Sequence, residues 1–226
     1  MAGERDQTLD IGPLTGGTRL VDVIAQKIKE AIVGGRLRPG TQLSVPALAR
    51  SLTVSRSPVR EAILHLVGQG LAVETPRKGV VVARVDHDDL MRIHEIREYL
   101  EAAAARYCAE RAPASLIDRL EAIIGDQERA VRQGLAQGYF ETNASLHRTI
   151  ARGAASPRLS TILDQLEAQM SIALQHISTS REHMAAGLRE HAGIVAPIRR
   201  RDAPAAEAAM RAHIAATLAR VRLQRG

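Results

Sequence analysis

The chain has no tryptophan, one phenylalanine and three tyrosines among its 226 residues. A core without aromatic bulk has to be filled by Ala, Leu, Ile and Val, which suits closely packed helices and disfavours a β-sandwich. There is a single cysteine, Cys108, so an internal disulfide is excluded and a reducing cytoplasm is expected. That thiol reads as a small buried hydrophobe on a helix. No apolar run approaches the length of a membrane span and no charged-then-apolar leader opens the chain, so no membrane is expected as a partner.

What is present is positive charge, unevenly spread. The formal net charge is +6, yet residues 18–85 alone carry eleven Lys/Arg against four Asp/Glu. Residues 86–226 are nearly balanced at nineteen against eighteen, and residues 1–17 hold one Arg against three acids. A concentrated basic segment points to a polyanionic partner, because neutralising phosphates releases counterions. The plainer alternative is a solvated basic surface.

Residues 1–17 are Gly-rich without an apolar period and read as a flexible tail. From Thr18, Leu20, Ile24, Ile28 and Ile32 recur every four residues until Gly34-Gly35 ends the helix. After a turn at Arg36–Gly40 come two short helices, about Pro46 to Leu52 and Ser57 to Gln69. Ala47, Leu48, Ala49 and Leu52 are expected on the inner face of the first, and Val59, Ala62, Ile63 and Leu66 on that of the second. Two β-prone runs, Leu71–Thr75 and Val80–Val85, flank a hairpin tip at Pro76–Gly79. Six further helices are predicted near 88–111, 114–134, 138–152, 157–178, 181–200 and 203–223. The expected fold is mainly α: a winged helix-turn-helix over 18–85, then an all-helical bundle over 86–226.

In that first unit the outward residues of the second helix are Arg56, Ser57 and Arg60, with His65 further along. Hydroxyls and backbone N–H groups at a helix start hold phosphates, while Arg forks onto guanine in the major groove. Arg77 and Lys78 at the wing tip suit a flanking minor groove or the backbone. The expected contact set is Ser55, Arg56, Ser57 and Arg60 on the helix and Arg77, Lys78 and Gly79 on the wing.

These residues carry a resemblance. Leu37-Arg38-Pro39-Gly40, Leu48-Ala49, the run Val54-Ser55-Arg56-Ser57-Pro58-Val59-Arg60-Glu61-Ala62 and Gly70-Leu71 followed by Arg77-Lys78-Gly79 resemble the GntR family of bacterial regulators. The subgroup is that with an all-helical FCD domain at its C-terminus. The resemblance implies a DNA-binding repressor, acting as a homodimer on a palindromic operator of double-stranded DNA and controlled by a small organic acid. One departure is Pro46, where relatives often carry a polar residue able to reach DNA.

In the bundle, Asn143 and His147 lie four apart on the stripe of Phe140, Ala144 and Ile150, so both should face inward. His191 lies among Met184, Leu188, Ile194, Val195 and Ile198 and also points inward, whereas the facing of His213 is less clear. One inward histidine is usually a hydrogen-bonded core residue, but three on separate helices suit a divalent metal. FCD domains typically use an Asp and a His four apart plus two later histidines, which His147, His191 and His213 match. Asn143 stands where Asp is usual, which implies a weaker site for zinc, with nickel or manganese as alternatives, or a purely structural cluster.

Arg97 falls on the apolar stripe of Leu90, Ile93, Leu100 and Ala104, with Glu101 one turn on. It reads either as half of an internal Arg–Glu pair or as the anchor for the effector's carboxylate. The rival class of function is a metal-dependent hydrolase, which needs a carboxylate base at the metal. Glu190 should project about 100° away from His191, and no other carboxylate shares the Asn143 or His213 stripes, so no enzyme is expected.

Overall fold

The computed structural model describes residues 19–174 and 180–223. The expected 1–17 tail and the last residues of the helix predicted to reach 178 lie outside the described residues.

The first unit begins with α1 (Leu20–Val33), which buries Ile24, Ala25, Ile28 and Ile32. Helix α2 (Val45–Leu52) starts at Ser44, whose hydroxyl accepts from Ala47 N–H, and carries Pro46 in its first turn. A helix start needs no donor there, so Pro46 costs nothing and pre-sets the backbone. Only Ala49 of α2 is buried; Ala47, expected on the inner face, is exposed because so short a helix presents a narrow stripe. Thr53, left-handed at φ 55°, turns the chain into α3 (Arg56–Gly68), which buries the expected Val59, Ala62, Ile63 and Leu66.

The wing is β1 (Ala72–Thr75) antiparallel to β2 (Gly79–Val82), with Thr75 opposite Gly79. Both strands are shorter than the β-prone runs, although the same register continues one step further, where Ala83 N–H donates to the carbonyl of Leu71. Gln42 bridges to Val81 on the outer side, and its side-chain amide braces the tip by donating to the Lys78 carbonyl at 2.7 Å.

The second unit is a six-helix bundle: α4 (His87–Arg111), α5 (Ala114–Gln133), α6 (Ala136–Gly153), α7 (Pro157–Leu174), α8 (Arg181–Arg199) and α9 (Ala203–Leu223). Asp86 caps α4 by accepting from Asp89 N–H, and Ser180 caps α8 through His183 N–H. Helix α4 is the spine, packed most extensively on α9 and also on α6, α7 and α8. Its small buried residues Ala102, Ala105, Cys108 and Ala109 permit that close approach. Burial pushes the Cys108 thiol up to about 12, so it is an inert core hydrophobe at neutral pH. No described helix is long and apolar enough to cross a membrane.

Helix α7 belongs to both units. Leu163 packs in the bundle core and Met170 against Leu90 and Ile93, whereas Ala168 and Ile172 complete the core of the winged unit. Gln169, between them in sequence, donates to the carbonyl of Gln69 at the end of α3.

Candidate functional site

The first site is the open face of α3 and the wing. Ser55, Arg56, Ser57, Arg60, Arg77, Lys78 and Gly79 are all exposed. Ser55 occupies the N-cap of α3 without a side-chain cap bond, so its hydroxyl and the first-turn N–H groups are available to an anion. At the wing tip Arg77 and Gly79 have φ of 65° and 69°, which turns the hairpin tightly and projects two cations on adjacent residues, Arg77 and Lys78. Face and tip together expose four cations, Arg56, Arg60, Arg77 and Lys78, in the arrangement of helix and wing that suits a DNA groove.

The second site is the bundle interior. His147 on α6, His191 on α8 and His213 on α9 are buried, with ring nitrogens within 4.8 Å of one another. The structure thus resolves the facing of His213: it points inward. Each Nδ1 meets an oxygen: His147 with Glu101, His191 with Gln127 at 2.8 Å, and His213 with Glu190 at 2.7 Å. Those acceptors hold the Nδ1 protons and turn the Nε2 lone pairs toward the centre.

Nε2 of His191 and Nε2 of His213 then face each other at 3.3 Å. With both Nδ1 atoms protonated, two lone pairs face each other there, and a shared cation would relieve their repulsion. Burial lowers the pKa of both rings, disfavouring a proton in that place. A divalent ion about 2.1 Å from each nitrogen, at bond angles of about 90–110°, would separate them by about 3.0–3.4 Å. The donor set therefore fits a metal ion that accepts imidazole. Asn143, half-buried one turn before His147, offers a neutral amide oxygen from the same helix.

A line of polar residues on α4 faces this cluster. Arg97 is buried, forks onto Glu101, touches Met170 and lies 3.7 Å from Glu167. Glu101 in turn holds His147, so one carboxylate joins the guanidinium to the imidazoles. Burial alone would raise the Glu101 pKa, but Arg97 and His147 outweigh it and hold the carboxyl well below the usual range. A cavity of about 10 Å³ opens on Glu101 and His147, walled on one side by Leu163, Asp164 and Glu167 of α7. That is room for one water, so a larger occupant requires its walls to move.

Several participants escaped the sequence reading. Glu190 was expected out of reach because it diverges from His191 on the helix, but its side chain spans to α9 and accepts from His213. Arg220 also forks onto it at 2.7 and 2.8 Å. Glu101 likewise supplies a carboxylate to His147 from α4, a helix not considered for that role. Neither behaves as a free base: burial opposes ionisation of Glu190, yet its bonds to Arg220 and His213 hold its pKa at about 2. Gln127, buried on the apolar face of α5, was also missed, as was His94 on α4. Both are polar residues at apolar-stripe positions, and that was the available signal.

Comparisons with known proteins identify the family of both units. Residues 20–82 match the family described as bacterial regulatory proteins, gntR family, and residues 92–216 match the FCD domain. The chain is 27% identical over 191 residues to the HTH-type transcriptional repressor RspR of Escherichia coli K12, covering 83% of this chain and 82% of the relative. It is 28% identical over 182 residues to the HTH-type transcriptional regulator McbR of the same strain, covering 79% and 81%. The solved structure of E. coli McbR/YncC superposes with a TM-score of 0.80 at 21% identity, covering 93% of this chain and all of that one, which supports the fold.

Proposed function

The chain belongs to the FCD-domain family of gntR-type bacterial regulatory proteins, and from that premise we propose a homodimeric repressor whose hold on a palindromic operator is set by a small carboxylate. It is a transcriptional regulator, not an enzyme. Ser55, Arg56, Ser57 and Arg60 enter the major groove, and Arg77, Lys78 and Gly79 grip the flanking strand. Two copies reading two half-sites gain the affinity and specificity that one small winged unit lacks.

The effector site lies at the histidine cluster. His147, His191 and His213, with the Asn143 amide, would hold a divalent ion, zinc or else nickel or manganese, which supplies a Lewis acid for one carboxylate oxygen. Arg97 anchors the other by exchanging Glu101 for the incoming carboxylate. The observation that carries this reading is the double membership of α7. The helix that walls the cavity also completes the core of the DNA-binding unit. An occupant that moves Leu163, Asp164 and Glu167 shifts Ala168, Gln169 and Ile172 with them, altering how the two DNA-binding units are presented.

The test uses full-length protein and random duplex DNA. Selection is expected to enrich an inverted repeat, and a thermal-shift screen of small carboxylic acids, with and without zinc, to find acids that also weaken operator binding. Enrichment of no repeat would defeat the operator reading. Acids that shift melting without changing DNA affinity would reduce the cluster to a structural role.

A further inference from the structure

His94 is the exception among the histidines of the bundle interior. It is 1% exposed, and neither of its ring nitrogens has a hydrogen-bond partner. His147, His191 and His213 all have partners for Nδ1. Buried polar side chains in folded proteins are almost always paired, so an orphaned ring with two open nitrogens marks a place that a partner is meant to fill.

Its position says which partner. His94 precedes Arg97 by three residues and Glu101 by seven, so all three share the face of α4 turned to the cluster. It stands outside the three-histidine set, on the buried face of α4 that also carries Arg97 and Glu101. It therefore lies one turn from the guanidinium that would take the effector's carboxylate, on the same buried face. Burial, and then the Arg97 cation, keep the ring neutral, so it presents one N–H and one lone pair. A bare carboxylate can only accept; a hydroxyl both donates and accepts.

We propose that His94 is the residue that reads the effector's second polar group, selecting carboxylates that carry a neighbouring hydroxyl over those that do not. This rests on the carboxylate reading of the cluster given above, and adds the determinant within it. A site built to hydrogen-bond a hydroxyl rejects the analogue lacking it, because its own buried group is then left unpaired.

The experiment compares glycolate with acetate, the smallest matched pair, by calorimetric titration of zinc-loaded full-length protein, wild type and His94→Phe. Wild type is expected to bind glycolate at least tenfold more tightly than acetate. In His94→Phe that preference should collapse to near unity, with acetate affinity unchanged. The apo melting temperature of His94→Phe should also rise, since an unsatisfied buried ring gives way to an apolar one of similar shape. His94→Gln, which keeps donor and acceptor, should restore part of the preference. Equal binding of both acids by wild type overturns the assignment while leaving the carboxylate site standing. Loss of both acids in a folded His94→Phe overturns it too. If wild type binds neither acid, the carboxylate reading itself falls and takes this one with it.

Discussion

The side-chain amide of Gln169 donates to the main-chain carbonyl of Gln69 at 2.8 Å, joining α7 of the bundle to the residue that ends α3. Gly70, the next residue, has φ 70°, and a Cβ built there would lie 2.5 Å from that same amide. The two domains thus meet at a point where one side chain has been given room by another residue's lack of one. Gln169→Ala should cost about 1 kcal/mol in urea denaturation. Gly70→Ala should cost more, from both its backbone angle and the collision. In a double-mutant cycle the two changes should be non-additive, the second restoring what the collision took; strict additivity would mean that the contact carries no energy.

At the proposed DNA face, an arginine that reads a base and a lysine that grips phosphate should be distinguishable by mutation. Arg60→Ala is expected to cost about 1–3 kcal/mol of operator affinity and to relax preference at one base pair. Lys78→Ala should weaken all sequences alike and reduce the salt slope of binding by about one. Fluorescence anisotropy across a salt series separates them.

The buried Arg97–Glu101 pair should be costly to break from one side only. Arg97→Leu strands a carboxylate in the core and is expected to lose roughly 3–5 kcal/mol. The double variant Arg97→Leu/Glu101→Leu should lose less than Arg97→Leu alone. Chemical denaturation at neutral pH checks this ordering.

Acid should find His94. Its folded pKa, lowered by burial from 6.5 to about 4, means that the unfolded chain takes up a proton in that window while the folded one does not. The contribution is present in full above about pH 6.5 and is lost as pH falls toward 4. His94→Phe should therefore lose less stability over that window than wild type, the difference being about 3 kcal/mol. Parallel stability–pH curves for the two proteins would contradict it.

Chelation tests the imidazole set. Protein stripped with EDTA should gain melting temperature on addition of zinc in proportion to the logarithm of its excess over the dissociation constant. His191→Ala should bind no zinc by elemental analysis, whereas Asn143→Asp should retain the ion more tightly, adding a charged oxygen one turn from His147.

Much of this was legible from residue order. Leu, Ile and Ala at helical spacing define the helices, and Gly34-Gly35 ends the first of them, because these features act within a few residues. The exposed arginines of α3 follow from the same arithmetic, since a helix whose apolar stripe is known has a known outside. His94 was legible in principle: with Leu90, Ile93, Arg97 and Glu101 it lies on one stripe. Glu190 was not, because its reach to His213 and Arg220 depends on where α9 lies and not on the angle it leaves α8. The double membership of α7 was not legible either. Ala168 and Ile172 look like any inward residues, and nothing local tells which interior they face.

That shared helix has a consequence for the cell. Coupling through one rigid element runs in both directions, and whatever factor the effector takes from operator affinity the operator must take from effector affinity. Under the proposed reading, a dimer seated on its operator and one free in solution would be two receptors of unequal sensitivity for the same acid. The concentration at which such a gene responded would be set at the DNA, and an operator mutation would retune the response without touching a residue of the protein.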